Sequence, residues 1–343
     1  MNREQFFEKL ATLDEERINK ALWTLYWRGS AQIRERIEAE LDPGERDRRR
    51  TVATETVAAA TVLDEIREFA ALARSGAYLG GDRRVTPKER TRWRFTFKQL
   101  ASDALASLGT DDVDAAAAAV AELIDLACEM RGYEYFRSED PIEAARFVVS
   151  DAVAVMWATI RDRHGFAFFA EHAAPQLIAW ESEFGWTRSG FGRVADQETP
   201  LGDVITKMLP ATDMWITFAD RYLDALDRLV DTASSTASTR HRGYPADRSR
   251  RDRADNLADW NLALLDRLFG SEAEDRLDHL ATHPAFDGPE RTFLQAHLAR
   301  RRSDVDTARA LVQKCLTQLP GHQGFLAFAT EIGAQTPERS GRR

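Results

Sequence analysis

Residues 140–164 read DPIEAARFVVSDAVAVMWATIRDRH, and this stretch decides the fold class. Asp140 followed by Pro141 is a helix start. The aspartate can accept a hydrogen bond from a free N–H of the first turn, and proline suits a position whose own N–H has no intrahelical partner. Glu143 stands where a capping box places its acid. Ile142, Ala145, Val149, Ala152, Met156 and Ile160 then recur at helical spacing, and Val148, Val155 and Trp157 widen the apolar surface beyond one stripe. The pattern predicts one helix running to about His164, ended by Gly165 and buried at the centre of a larger helical domain.

Working outward, the same period recurs. Towards the N-terminus, residues 14–28 carry Ile18, Leu22 and Leu25 on one stripe before Gly29, and Ser30 can cap a second helix with Ile33, Ile37 and Leu41 that Pro43-Gly44 stops. A longer helix is expected over about 52–75, with Val62, Ile66, Phe69 and Ala73 inward. Thr86-Pro87 opens another whose buried face is Trp93, Phe97 and Leu100, and one follows over about 112–131 with Val113, Ala117, Val120, Ile124 and Ala127. Towards the C-terminus, 166–183 reads as helix with a break at Pro175, 185–197 as a loop, and 200–208 and 211–231 as helices. Period-two alternation is absent, so the expectation is an all-α protein: a multi-helix bundle over 1–230, a polar linker rich in Arg, Ser and Thr over 231–253, helical hairpins over 254–333 and a tail over 334–343.

Composition sets bounds on function. The chain has 343 residues, 30% of them charged, and a net charge of −9, which does not fit a general nucleic-acid binder although local basic patches remain compatible. Six of the 47 basic residues are lysine; this arginine bias, with abundant alanine, points to a GC-rich bacterial source. Cys128 and Cys315 make neither a disulfide framework nor a zinc site. The N-terminus has no apolar signal core, and the richest apolar run, Ala152 to Ile160, falls short of the roughly 18 residues that span a bilayer. The expected location is the cytoplasm, with no membrane partner.

In the C-terminal region, residues 304–320 read DVDTARALVQKCLTQLP. This resembles the second helix of a tetratricopeptide repeat, with small residues at Ala308 and Cys315, a larger apolar residue at Val312 and proline at Pro320. Leu294 and Leu298 supply a packing face for the preceding helix, the family's small residue there falls near Gln295, and the turn between the helices carries one extra residue. Pro284 ends a similar pair 36 residues before Pro320. The resemblance implies stacked helix pairs and a surface for another protein or peptide. On it the candidate binding residues are Phe293, His297, Arg300 and Arg301, with Trp180 and Trp186 as candidate aromatic anchors upstream.

No phosphate-binding GxxxxGK[ST], HExxH or GxSxG occurs, and neither a metal nor a cofactor is expected. The most enzyme-like group is His164, Glu171, His172, Glu181 and Glu183, since imidazole and carboxylate together can bind metal or move protons. Their spacing matches no ligand motif, and a histidine at a helix C-terminus is explained by the helix dipole alone. The strongest basic run spans 83–98: Arg83, Arg84, Lys88, Arg90, Arg92, Arg94 and Lys98 against Glu89, interleaved with Trp93, Phe95 and Phe97. Such a face can hold phosphates and stack bases, or can simply be solvated. The leading expectation is a non-catalytic adaptor or regulatory component that binds another protein. The alternatives are nucleic-acid binding through Lys88, Arg90, Arg92, Arg94 and Lys98, and an enzyme of an unfamiliar all-α family.

Overall fold

The structure is a computed structural model that describes residues 14–28, 58–80, 82–184, 192–236 and 246–335. The chain divides into two compact units, Met1–Thr56 and Val57–Arg343. In the first, one helix is described, α1 (Glu15–Arg28), whose Trp23 and Trp27 stack at 5.9 Å and are exposed. The helix expected after Ser30 lies outside the described residues.

The second unit is all-α, with no strand among the described residues. Its elements are α2 (Ala59–Arg74), α3 (Pro87–Ser107), α4 (Val113–Gly132), α5 (Pro141–Ala145), α6 (Val149–His164), α7 (Phe166–Phe184), a 3-10 turn (Ala195–Gln197), α8 (Leu201–Met208), α9 (Thr212–Thr236), α10 (Ala246–Asn256), α11 (Ala258–Leu268), α12 (Asp275–Thr282), α13 (Pro289–Arg301), α14 (Val305–Gln318) and α15 (Gln323–Glu331). No described helix is long and apolar enough to cross a membrane.

The expected inward stripes of α2, α3 and α4 are buried, except that Ala117 is half-buried: Val62, Ile66, Phe69 and Ala73; Trp93, Phe97 and Leu100; Val113, Val120, Ile124 and Ala127. They meet around a residue that lies on no helix. Phe136, fully buried in the α4–α5 loop, stacks on Trp93 at 4.1 Å and lies 5.8 Å from Phe69 and 5.1 Å from Tyr78.

The helix expected over 140–164 is two helices. Asp140 caps α5 by accepting the Glu143 N–H at 3.0 Å, but after Ala145 the chain turns through Arg146 at φ +53°. Glu143 does not close a capping box; its carboxylate accepts the Arg193 and Val194 N–H groups at 3.2 and 2.8 Å. The new N-terminus of α6 has no cap from its own side chains. Its Val149 and Ser150 N–H groups donate instead to Glu198, at 2.7 and 2.9 Å. Likewise α8 is capped from a distance, the Leu201 N–H donating to the buried Glu181 at 3.2 Å. The break after α5 is therefore stabilised by a carboxylate far along the chain. The central position also shifts: α7, which passes through Pro175 without interruption, packs on α4, α6, α8, α9 and α10.

The polar stretch 231–253 is also largely helical where described. Helix α9 continues to Thr236 and α10 begins at Ala246, packing on α7 and α13. Arg253 is buried there and donates to the Ala285 carbonyl at 2.9 Å. A buried arginine bonded to backbone gives no periodicity signal, which is why α10 read as linker. One hydrophobic core extends from Ala59 to Leu298 across the expected boundary. A second, smaller core holds α13–α15 together: Phe293, Ala296, Ala308, Val312, Cys315, Leu316, Phe325 and Phe328. The small buried residue of α13 is Ala296, one place after the expected Gln295, whose amide donates to the Ala281 carbonyl at 2.9 Å.

Candidate functional site

Helix α3 starts at Thr86-Pro87 as expected, and Glu89 adds a capping box. Glu89 N–H donates to the Thr86 hydroxyl at 3.3 Å, and Thr86 N–H donates back to the Glu89 carboxylate at 2.7 Å. Burying Trp93, Phe97, Leu100, Ala101 and Ala104 fixes which side faces the core. The opposite side then presents Lys88, Arg92, Arg94, Phe95 and Lys98, all exposed. None of these four cations has an ion-pair partner among the described residues. Phe95 is 49% exposed, and the Arg94 guanidinium lies 4.9 Å from its ring centroid. Of the three interleaved aromatics, Trp93 and Phe97 are in the core as expected, which leaves Phe95 alone on the outer side.

Two of the basic residues in this run have local tasks. Arg90 donates to the Ala77 carbonyl at 3.2 Å and to the Asp82 carbonyl, tying the preceding loop to the helix. Arg84 pairs with Asp82 at 2.6 Å, and its hydrogen bonds hold that carboxyl down to about 2. Arg90 therefore leaves the candidate set, while Arg83, in the loop before the helix, is exposed.

The candidate protein-binding residues do not form one surface. Trp180 is 3% exposed, donates its indole N–H to Asp125 at 2.7 Å and stacks on Trp157 at 6.3 Å. Trp186 lies outside the described residues. Phe293 is buried and His297 packs on it and on Phe328, with ring centroids at 4.5 and 4.1 Å. Burial holds His297 below the usual histidine range. Arg300 is exposed, and Arg301 is paired with Asp266.

The imidazole–carboxylate group of the sequence is dispersed. His164 Nε2 lies 3.0 Å from Asp114, His172 Nδ1 lies 2.8 Å from the Phe168 carbonyl, and both rings pack on Phe168. Glu171 is exposed, Glu181 caps α8, and the Glu183 side chain lies outside what is described.

Sequence reading missed a different cluster. Asp227 of α9, His279 of α12 and His283 just beyond it bring their donor atoms within 4.8 Å of one another. The available signal was the i, i+4 spacing of the histidines; Asp227, on another helix, gave none. His283 is fully buried and both its ring nitrogens are engaged. Nδ1 accepts the Ala285 N–H at 3.1 Å, which assigns the ring proton to Nε2, 3.0 Å from Asp227 Oδ1. His279 Nε2 is 3.8 Å from the same oxygen. A metal on His283 Nε2 needs the proton on Nδ1, where it would meet the Ala285 N–H donor to donor. Metal-binding histidines have the reverse pattern, with the second nitrogen donating to an acceptor. The arrangement fits a hydrogen-bonded clamp between α9 and α12 rather than a metal centre.

That clamp is acid-sensitive. Burial pushes His283 below its ordinary 6.5, and the neighbouring His279 and Arg291 charges add to this, against the opposing pull of Asp227. The unfolded chain takes up the proton first as pH falls, so the contribution is present above the unfolded value and is lost as pH drops below about 6.5. Denaturation midpoints are expected to fall more steeply below that pH in the wild type than in His283→Gln. Parallel curves would refute the clamp.

Comparison of the sequence with protein-family models and curated proteins, and of the fold with solved structures, gives no match.

Proposed function

We propose that the protein is a non-catalytic binding component of the cytoplasm, and that the outer face of α3 is where it holds an acidic partner. The supporting observation is the set Lys88, Arg92, Arg94 and Lys98, exposed together and without carboxylate partners among the described residues. On a chain of net charge −9, an unneutralised cationic face concentrates the positive potential in one place, which steers and holds an anionic surface. The groups best suited to acid–base work have structural duties: Glu143, Glu181 and Glu198 cap backbone N–H groups, and both nitrogens of His283 are bonded. This favours binding over turnover.

The test is retention on a heparin matrix at low salt. Wild-type protein is expected to bind despite its net charge. The variant Lys88→Glu/Arg92→Glu/Arg94→Glu/Lys98→Glu, checked for helicity by circular dichroism, is expected to flow through. Flow-through of the wild type, or equal retention of the folded variant, would overturn the proposal.

A further inference from the structure

We infer that the α3 face binds single-stranded nucleic acid, with Phe95 as the platform on which a base stacks. This rests on the preceding reading of α3 as the partner surface and specifies its partner.

Charge alone does not choose between an acidic protein and a nucleic acid; Phe95 does. On a helix whose other aromatics are 5% and 0% exposed, this ring leaves about half its surface in water. Its packing contributes little to the core, so the exposed area is unfavourable unless a partner covers it. The ring is flanked by charge in an ordered way. Lys88, Arg92 and Phe95 follow one another at helical spacings of four and three residues. Arg94 and Lys98 form a neighbouring row four residues apart. Arg94 covers part of the ring at 4.9 Å, a cation–π contact that leaves a combined planar and cationic surface.

A base brings a π-face to such a surface and a phosphate beside it. An acidic peptide offers a flat group only where it also carries an aromatic side chain, whereas every nucleotide couples a planar ring to a phosphate. Bases within a duplex are stacked on each other, whereas those of a single strand are free to stack on a side chain. From Lys88 to Lys98 the helix rises about 15 Å at ~1.5 Å per residue. A few nucleotides of a single strand span that length. The stack is sequence-tolerant, because every base has a π-face.

The experiment is fluorescence anisotropy of the full chain with a labelled twelve-residue oligothymidylate at low salt, with heparin oligosaccharide and polyglutamate as competitors. The expected result is saturable binding that Phe95→Ala weakens about 5- to 150-fold, the range for losing one base–aromatic stack. Phe95→Trp is expected to retain binding, and Arg92→Glu to weaken it. Phe95 is exposed, so Phe95→Ala should leave the helical signal unchanged; that signal is measured alongside. Equal affinity of Phe95→Ala and wild type would overturn the inference, as would heparin competing as well as the oligonucleotide at matched charge. In either of those cases retention on heparin would leave the acidic-partner reading standing. Polyglutamate displacing the labelled oligonucleotide better than unlabelled oligonucleotide does at matched charge would also overturn it, and would identify an acidic polypeptide as the partner class.

Discussion

Replacing Phe136 by alanine is expected to destabilise the protein by about 3–5 kcal/mol, the usual cost of truncating a buried phenylalanine. The side chain is fully buried, and its ring contacts Trp93, Phe69 and Tyr78 from α2, α3 and the loop between them. Phe69 and Trp93 sit on helices anchored to α4, so they cannot collapse into the vacated space without moving whole elements, and the cavity term adds to the lost transfer free energy. Burial of Tyr78, which pushes its hydroxyl up to about 12, reflects the same closed surroundings. Chemical denaturation with an unchanged slope is the measurement. A loss under about 1 kcal/mol would mean that the loop ring is not part of the core.

The second large effect is expected at Glu198. Its carboxylate accepts two N–H groups of the first turn of α6, and α6 carries Met156 and Trp157, both fully buried. Hydrogen bonds to a charged group contribute about 1.5–3 kcal/mol each, and water can recover part of that at a half-buried site. Glu198→Ala is therefore expected to cost about 2–4 kcal/mol. Glu198→Gln retains an acceptor but loses the charge that the helix N-terminus favours, and should cost about 1 kcal/mol. Equal stability of all three proteins would show that α6 does not depend on its distant cap.

These two residues also mark the limit of sequence reading. Helices with a sustained period were legible: the inward faces of α2, α3 and α4 follow Val62, Ile66 and Phe69, Trp93 and Phe97, and Val120 and Ile124. Thr86 caps α3 as its place before Pro87 implies, and Glu89 closes a capping box with it that went unread in the sequence. Phe136 was not legible, because a loop residue has no period to betray its burial. The break after Ala145 was hidden for a related reason. Local residues favour one continuous helix, and the acceptors that make two helices stable come from Glu198, about fifty positions away. Helix α10 was concealed by composition, since Arg253 is buried through a bond to the Ala285 carbonyl rather than through apolar contact.

For the candidate site, the basic run around α3 was visible as a run, but its division was not. The spacing of Trp93, Phe97 and Leu100 already set Phe95 apart from the core face, but only the folded loop separates Arg90, which holds it, from Lys88, Arg92, Arg94 and Lys98. Phe293 and His297 fit a binding surface by position in the repeat-like pair, yet α13 is enclosed by α10, α11, α12 and α14, so both rings serve the C-terminal core.

The claim that the α3 face holds an anionic partner is tested most directly by the salt dependence of oligonucleotide affinity. Each phosphate neutralised on a single strand contributes about −0.7 to the slope of log K against log salt. Engagement of Lys88, Arg92, Arg94 and Lys98 gives an expected slope of about −3, and Arg92→Gln should reduce it to about −2. A slope near zero, or one that Arg92→Gln leaves unchanged, would contradict the assignment of this face.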